Sequence, residues 1–188
     1  MPFNLTKFRS EMEFDGARPN LFECKLQFPP FANIGTPGEK FTFMARAASL
    51  PGSTVNSVPV MYFGREFKFA GNRVFQDWAV TIINDEDFLV RNAFERWLEG
   101  LNAHGTGLRS NLALTPSEYQ AGDQSGDVAS VVQYGKNGDV IKRYNFFGMF
   151  PTDITPIDLD WGSNDNIEEY TVTFAYQWWT SDTTSLTV

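Results

Sequence analysis

Between Tyr62 and Leu101 the spacing of apolar residues changes period, and the change separates two kinds of element. Phe67 and Phe69 flank Lys68, and Trp78, Val80 and Ile82 alternate with Ala79 and Thr81. A repeat of two predicts half-buried strands. Val90, Phe94, Trp97, Leu98 and Leu101 then recur at steps of three and four, which predicts one amphipathic helix. Asn84 or Asp85 is expected to cap it, with Asp85, Glu86 and Asp87 in the first turn, where the helix dipole favours anions. Gly100 and Gly105 are its expected stop signals. A helix with a single aromatic face needs a sheet to lie on.

The remaining pattern supplies that sheet. Residues 21–28 place Phe22, Cys24, Leu26 and Phe28 on one strand face, closed by Pro29 and Pro30. A Gly- and Pro-rich loop over 33–38 leads to an expected second strand at 41–47. Residues 49–60, bounded by Pro51 and Pro59, lack the apolar content for a core of their own. They read as an extended loop, either solvated or docked on a neighbour. Residues 102–126 read as an irregular surface insertion. Strands are expected again at 127–134 and 140–150, joined by a turn at Asn137-Gly138 where positive φ costs little. Val140, Tyr144, Phe146 and Phe150 would share a face, and Pro151 would stop the strand. Residues 153–157 and 159–161 read as a short strand or turn. The last strand, 168–180, would turn Tyr170, Val172, Phe174, Tyr176 and Trp178 one way. Residues 1–18, with Phe3, Leu5, Phe8 and Phe14 among charges, read as an arm that packs elsewhere. The expectation is a single mainly β domain over 1–188: an antiparallel β-sandwich or partly open barrel with one packed α-helix.

Composition narrows the function. The chain has 188 residues, enough for one substantial core, and 15% of them are aromatic, with 18 Phe. The formal net charge is −8 and the isoelectric point about 4.6. That balance argues against a protein that grips DNA or an anionic membrane, which needs clustered Lys and Arg. Cys24 is the only cysteine, so no intrachain disulfide forms, and its place among apolar neighbours predicts an inert buried thiol. The first residues hold no signal-peptide core, and no apolar run reaches membrane-spanning length, so a reducing, cytoplasm-like compartment is expected.

Candidate chemistry is thin. His104 is the only histidine and lies among Gly105 and Gly107, so a solvent-facing loop residue is expected over a catalytic one. Asp158-Leu159-Asp160 starts like a calcium loop, but Gly162 stands where another oxygen ligand is needed. Gly105-Thr106-Gly107 lacks the third glycine of a dinucleotide turn. Asp85, Glu86 and Asp87 hold the carboxylates that glycoside chemistry uses, but their expected place at a helix start favours a structural role. Aromatic strands such as 170–179 lack the basic groove that nucleobase stacking requires. No catalytic, metal or cofactor constellation is expected, which leaves an enzyme or ligand-binding barrel without its residues.

Several long strings resemble the tail tube proteins of contractile-tailed bacteriophages: ARPNLFECKLQFP (17–29), ASLPGSTV (48–55), YFGREFKFAG (62–71), WAVTIINDEDFLVRNAFERW (78–97), YGKNGDVIKRYNFFGMFP (134–151) and IEEYTVTFAYQWW (167–179). The resemblance covers nearly the whole chain. It implies hexameric rings that stack into the inner tube of a tail, inside a contractile sheath, between a baseplate and a tail terminator. DNA would pass without sequence-specific contact, and the protein would reside in the virion after assembly in the host cytoplasm. Tube initiators of baseplates, and the inner tubes of type VI or extracellular contractile injection systems, are the alternatives of the same fold. On the expected strands, Glu23, Lys25 and Gln27, with Thr42, Met44 and Arg46, form polar faces that are candidates to line the lumen. Ser49, Leu50, Pro51, Gly52, Ser53, Thr54, Val55, Asn56, Ser57 and Val58 are candidates for contact between rings.

Overall fold

A computed structural model describes residues 4–13, 16–122 and 129–184. Phe3, Phe14, the end of the insertion and the start of the strand expected at 127 lie outside the described residues. In chain order the elements are α1 (Leu5–Glu11), β1 (Phe22–Leu26), α2 (Pro37–Met44), β2 (Ala45–Ala48), β3 (Ser53–Tyr62), β4 (Arg65–Phe75) and β5 (Trp78–Ile83). Then follow α3 (Leu89–Leu101), α4 (Pro116–Tyr119), β6 (Ala129–Tyr134), β7 (Val140–Phe147), β8 (Phe150–Ile154), β9 (Glu169–Ala175) and β10 (Trp178–Ser181). One antiparallel sheet runs β1-β6-β7-β10, a second runs β2-β5-β9-β8, and β3 pairs with β4 alone. The result is a sandwich whose sheets keep their edges, a partial barrel.

Period-two patterning produced the inner faces. Cys24 and Leu26 of β1, Trp78, Val80 and Ile82 of β5, and Tyr170, Val172 and Phe174 of β9 are all buried. The amphipathic helix lies where its stripe requires, with Val90, Ala93, Phe94 and Trp97 buried. Phe94 is the hub. Its ring lies 4.8 Å from Phe28, 6.0 Å from Phe41, 5.7 Å from Phe174, and stacks on Trp97 at 6.3 Å. Phe174 in turn meets Trp78 at 5.7 Å, and Trp78 meets Phe146 at 4.6 Å. Both buried indoles keep a partner: Trp97 Nε1 donates to the Tyr119 carbonyl at 2.8 Å and Trp78 Nε1 to the Ser49 carbonyl at 2.7 Å. The first of these bonds anchors the irregular stretch after α3, where Ala113 is also buried.

Seven expectations are corrected. The strand expected at 41–47 is a helix, α2, followed by the short β2. Pro37 opens the helix with φ already set, Glu39 complements its first turn, and Phe41 points into the core. A second helix therefore packs beside the expected one. The extended loop at 49–60 contains β3, because β4 satisfies its backbone without any core of its own. Pro59 is tolerated there since each strand of a two-stranded ribbon has one free edge.

The strand expected at 140–150 is two strands in different sheets, and so is the one at 168–180. Gly148, at φ +64°, turns the first corner, and Gln177 N donates to the Phe147 carbonyl at 2.9 Å across the second. The two corners touch: a Cβ on Gly148 would stand 2.7 Å from Gln177 Cγ. Pro151 does not stop a strand but sits in β8, an edge of its sheet. At the start of α3 neither Asn84 nor Asp85 caps. Phe88, in the left-handed region at φ +52°, precedes the helix, and residues 85–87 form a turn before it. Gly100 does not end α3. It lies inside the helix, where a Cβ would come 2.4 Å from Phe31 Cε2.

That acidic turn is clamped to α2. Lys40 Nζ lies 2.6 Å from Asp85 and 2.5 Å from Asp87. The hydrogen bonds from Lys40 hold both carboxyls below their ordinary value of 3.8 and hold the ammonium above its own. Their contribution is therefore present above the ordinary carboxylate range and lost as the pH falls through the lower folded-state values. The stability difference between wild type and Lys40→Met, read from denaturant midpoints, should be level from about pH 5 to 7 and shrink below about pH 4. At the hub, Phe94→Ala should cost about 3–5 kcal/mol in the same assay, because its four aromatic neighbours cannot collapse into the gap.

Candidate functional site

The geometry that stands out is a difference between the two ends of β5 and β9. These strands pair with Trp78 opposite Phe174 and Ile83 opposite Glu169. Six residues of β5 separate the ends by about 17 Å. At the Trp78 end the chain leaves the sandwich as the β3–β4 hairpin. Its root is held by Trp78 on the Ser49 carbonyl and by Trp179 Nε1, which donates to the Gly52 carbonyl at 3.3 Å. Phe75 of β4 packs on Tyr176 and Trp179, with centroids at 6.1 and 6.4 Å.

Beyond that root almost every hairpin residue is exposed on both faces, so the ribbon projects from the body. Register and alternation sort its side chains. Val58 opposes Phe69, Val60 opposes Phe67 and Tyr62 opposes Arg65, which puts five apolar groups on one face. The other face carries Ser57, Pro59, Met61, Glu66 and Lys68. Phe63 and Gly64 form the tip with φ of +46° and +78°, and Phe63 is 90% exposed. A phenylalanine held in the left-handed region gains nothing from solvent. Alternation in the sequence gives β4 but not β3, and it predicts a half-buried strand where both faces of the ribbon are exposed.

At the Ile83 end lie the clamped turn and the connection from β8 to β9. Asn84 Nδ2 donates to Glu168 Oε2 at 2.8 Å, which ties the two together. Residues 153–169 contain six acids and no Lys or Arg. Asp158, Asp160 and Asp165 are exposed, and so are Leu159, Trp161 and Ile167, Trp161 completely. Trp161, Ile157 and Asn166 help line an open groove of about 420 Å³. This end was not singled out by the sequence beyond a weak calcium-loop match.

The six lumen candidates fall on three elements. Glu23 and Lys25 lie on the outward face of β1, 3.4 Å apart, with Gln27 exposed just beyond it. Tyr134 donates to Glu23 at 2.5 Å, and that bond raises the phenol above its ordinary range. Thr42 and Met44 belong to α2, so strand alternation does not govern them; Thr42 nonetheless borders the same groove as Glu23, Lys25 and Gln27. Arg46, on β2 in the other sheet, pairs with Glu169. The exposed β1 face thus holds one acid and one base, and the acidic excess of the chain lies elsewhere. Of the ten ring-contact candidates, Ser53 to Val58 belong to β3, and Ser49 to Gly52 form its root.

Candidate nucleophiles and acids have ordinary surroundings. Cys24 is fully buried, and burial pushes its thiol up to about 12. His104 is exposed and pairs with Glu99, whose carboxyl is lowered mainly by the His104 backbone N–H. Among the described residues, no three His, Cys, Asp or Glu side chains are grouped to hold a metal ion, and no helix is long and apolar enough to cross a membrane.

Comparison with known proteins places these surfaces in context. A family model described as phage tail tube protein matches residues 17–182. The tail tube protein gp19 of Enterobacteria phage T4 is 32% identical over 166 residues, covering 88% of this chain and 91% of that protein. Among solved structures, a chain of the anti-feeding prophage baseplate covers 93% of this chain and all of its own, with a TM-score of 0.60 at 16% identity. A chain of the extracellular contractile injection system PVC, in its extended sheath–tube complex, aligns over 95% of this chain with a TM-score of 0.53 at 13% identity.

Proposed function

The chain belongs to the phage tail tube protein family, and we propose that its copies form hexameric rings stacked into the inner tube of a contractile tail. The role is structural, a conduit for DNA ejection, with a sheath outside, a baseplate at one end and a terminator at the other. Assembly takes place in the host cytoplasm and the protein resides in the virion tail. The observation that carries this reading is the projecting hairpin, whose face of Val58, Val60, Tyr62, Phe67 and Phe69 stays exposed in the single chain. Such a face is an interaction surface awaiting another copy.

Ring closure follows from the sheet edges. Among the described residues the four-stranded sheet that ends in β1 and β10 has no further strand at either side, and an open edge is satisfied by a neighbour's strand. Head-to-tail pairing of this kind closes when the rotation closes. Six such sheets make a wall of 24 strands, at least about 115 Å around at ~4.8 Å per strand. That leaves a bore for a double helix. The outward faces of β1 and its continuation, Glu23, Lys25 and Gln27, are the proposed lumen positions, with Thr42, Met44 and Arg46 beside them. Lys25 meets Glu23 and Arg46 meets Glu169, so DNA finds no cluster of uncompensated Lys and Arg to grip.

The likeness to a baseplate chain supports one alternative, a tube initiator of the same fold that nucleates a tube without lengthening it. The likeness to a chain of the PVC sheath–tube complex supports a second, the inner tube of a contractile injection system.

Phe67→Asp combined with Phe69→Asp should cost about 0.4–2 kcal/mol, because each loses a cross-strand apolar pair, with Val60 and Val58, while the core is untouched. The same variant should abolish tube growth in negative-stain electron microscopy; tubes of normal length would overturn the ring-stacking role of the hairpin. Glu23→Lys should give tubes of normal length that eject DNA more slowly, because a cationic ring attracts phosphate. Loss of assembly instead would make Glu23 a subunit contact.

A further inference from the structure

The hairpin needs a receptor, and the molecule carries a complementary surface at its other end. We propose that the segment between β8 and β9, centred on Asp158, Leu159, Asp160, Trp161, Asp165 and Ile167, is the site that receives the β3–β4 hairpin of a copy in the next ring. This inference rests on the tube reading above and supplies the half of the contact which that reading leaves open.

Three observations carry it. The two surfaces sit at opposite ends of the β5–β9 pair: the hairpin leaves at Trp78, and the acceptor segment enters β9 at Glu169. A contact between opposite ends of identical chains is heterologous, so it repeats without limit along an axis. Charge is complementary as well. The hairpin, residues 53–75, carries Arg65, Lys68 and Arg73 against Glu66 alone, whereas residues 153–169 carry six acids and no base, with Glu169 met by Arg46 and Asp158, Asp160 and Asp165 exposed. Opposite potentials orient the encounter and select the register.

The third observation is the shared apolar content. Trp161 is fully exposed, with Leu159 at 81% and Ile167 at 71%, beside an open groove. Across from them stand the aromatics of the hairpin tip, led by Phe63 in its left-handed conformation. Aromatic anchors ringed by charge are the composition of an interface centre. Arg65, on the apolar face of the hairpin, would lie toward the aspartates of the acceptor.

A complementation experiment separates this proposal from the reading beneath it. The donor-dead variant is Phe67→Asp with Phe69→Asp, and the acceptor-dead variant is Asp160→Lys with Trp161→Lys. All four residues are exposed, so each chain keeps its fold. Wild type, each variant and their equimolar mixture are compared by negative-stain microscopy and sedimentation velocity. Each variant alone should stop at single rings. The mixture should give pairs of rings, doubling the mass without forming tubes, because one intact hairpin then meets one intact acceptor. Tubes of normal length from the acceptor-dead variant would overturn the acceptor assignment while leaving the tube reading in place. So would a mixture that stays at single rings. Tubes from the donor-dead variant would overturn the stacking role of the hairpin itself.

Discussion

The packing of Phe94 against Phe28, Phe41, Phe174 and Trp97 is the constraint on which the rest of the molecule depends. One side chain joins α3 to α2, to the segment after β1 and to β9, hence to both sheets. Phe174 and Trp78 extend the same aromatic contacts to Phe146 on β7, from one sheet to the other. Rings in such edge and tilted contacts fix mutual angles as well as distances. A rigid body of this kind can carry a long hairpin that contributes nothing to its own core.

Where strands change sheets, the same body acquires its open shape. The corners at Gly148 and Gln177 pass β7 into β8 and β9 into β10, and among the described residues each sheet ends in strands with no further neighbour. Free edges are a liability in a monomer and a resource in an assembly. The molecule concentrates its unmet valences in three places: the sheet edges around the ring, the hairpin at one end, and the acidic, aromatic segment at the other. An axial hairpin contact and a lateral edge contact are independent directions, which is what a stacked ring requires.

The distribution of charge refines what net charge alone suggests. A total of −8 reads as uniform repulsion from nucleic acid. In three dimensions the outward face of β1 pairs Glu23 with Lys25, and acids gather instead at Asp85 to Asp87 and along 153–169. Lys40 neutralises part of the first group within the chain. Within the second group Arg46 meets Glu169, while Asp158, Asp160 and Asp165 stay exposed.

The sequence by itself determined the β-rich class, the inner faces of β1, β5 and β9, the amphipathic α3 and the turn at Asn137-Gly138, because each follows from local periodicity or from the φ that one residue tolerates. The family was legible in its long matching strings. Local pattern failed where the deciding interaction was distant. Residues 41–44 alternate like a strand, yet Pro37 and burial of Phe41 beneath Phe94 make them helix. Strand periodicity ran unbroken through Gly148 and Gln177, since side chains on both sides of a corner stay apolar while the backbone changes sheets. Residues 49–60 appeared too polar to pack, and they are; β4 supplies hydrogen bonds instead of a core. Tertiary structure alone decided that the hairpin and the acidic segment occupy opposite ends, because only the pairing of β5 with β9 sets those distant parts of the chain apart.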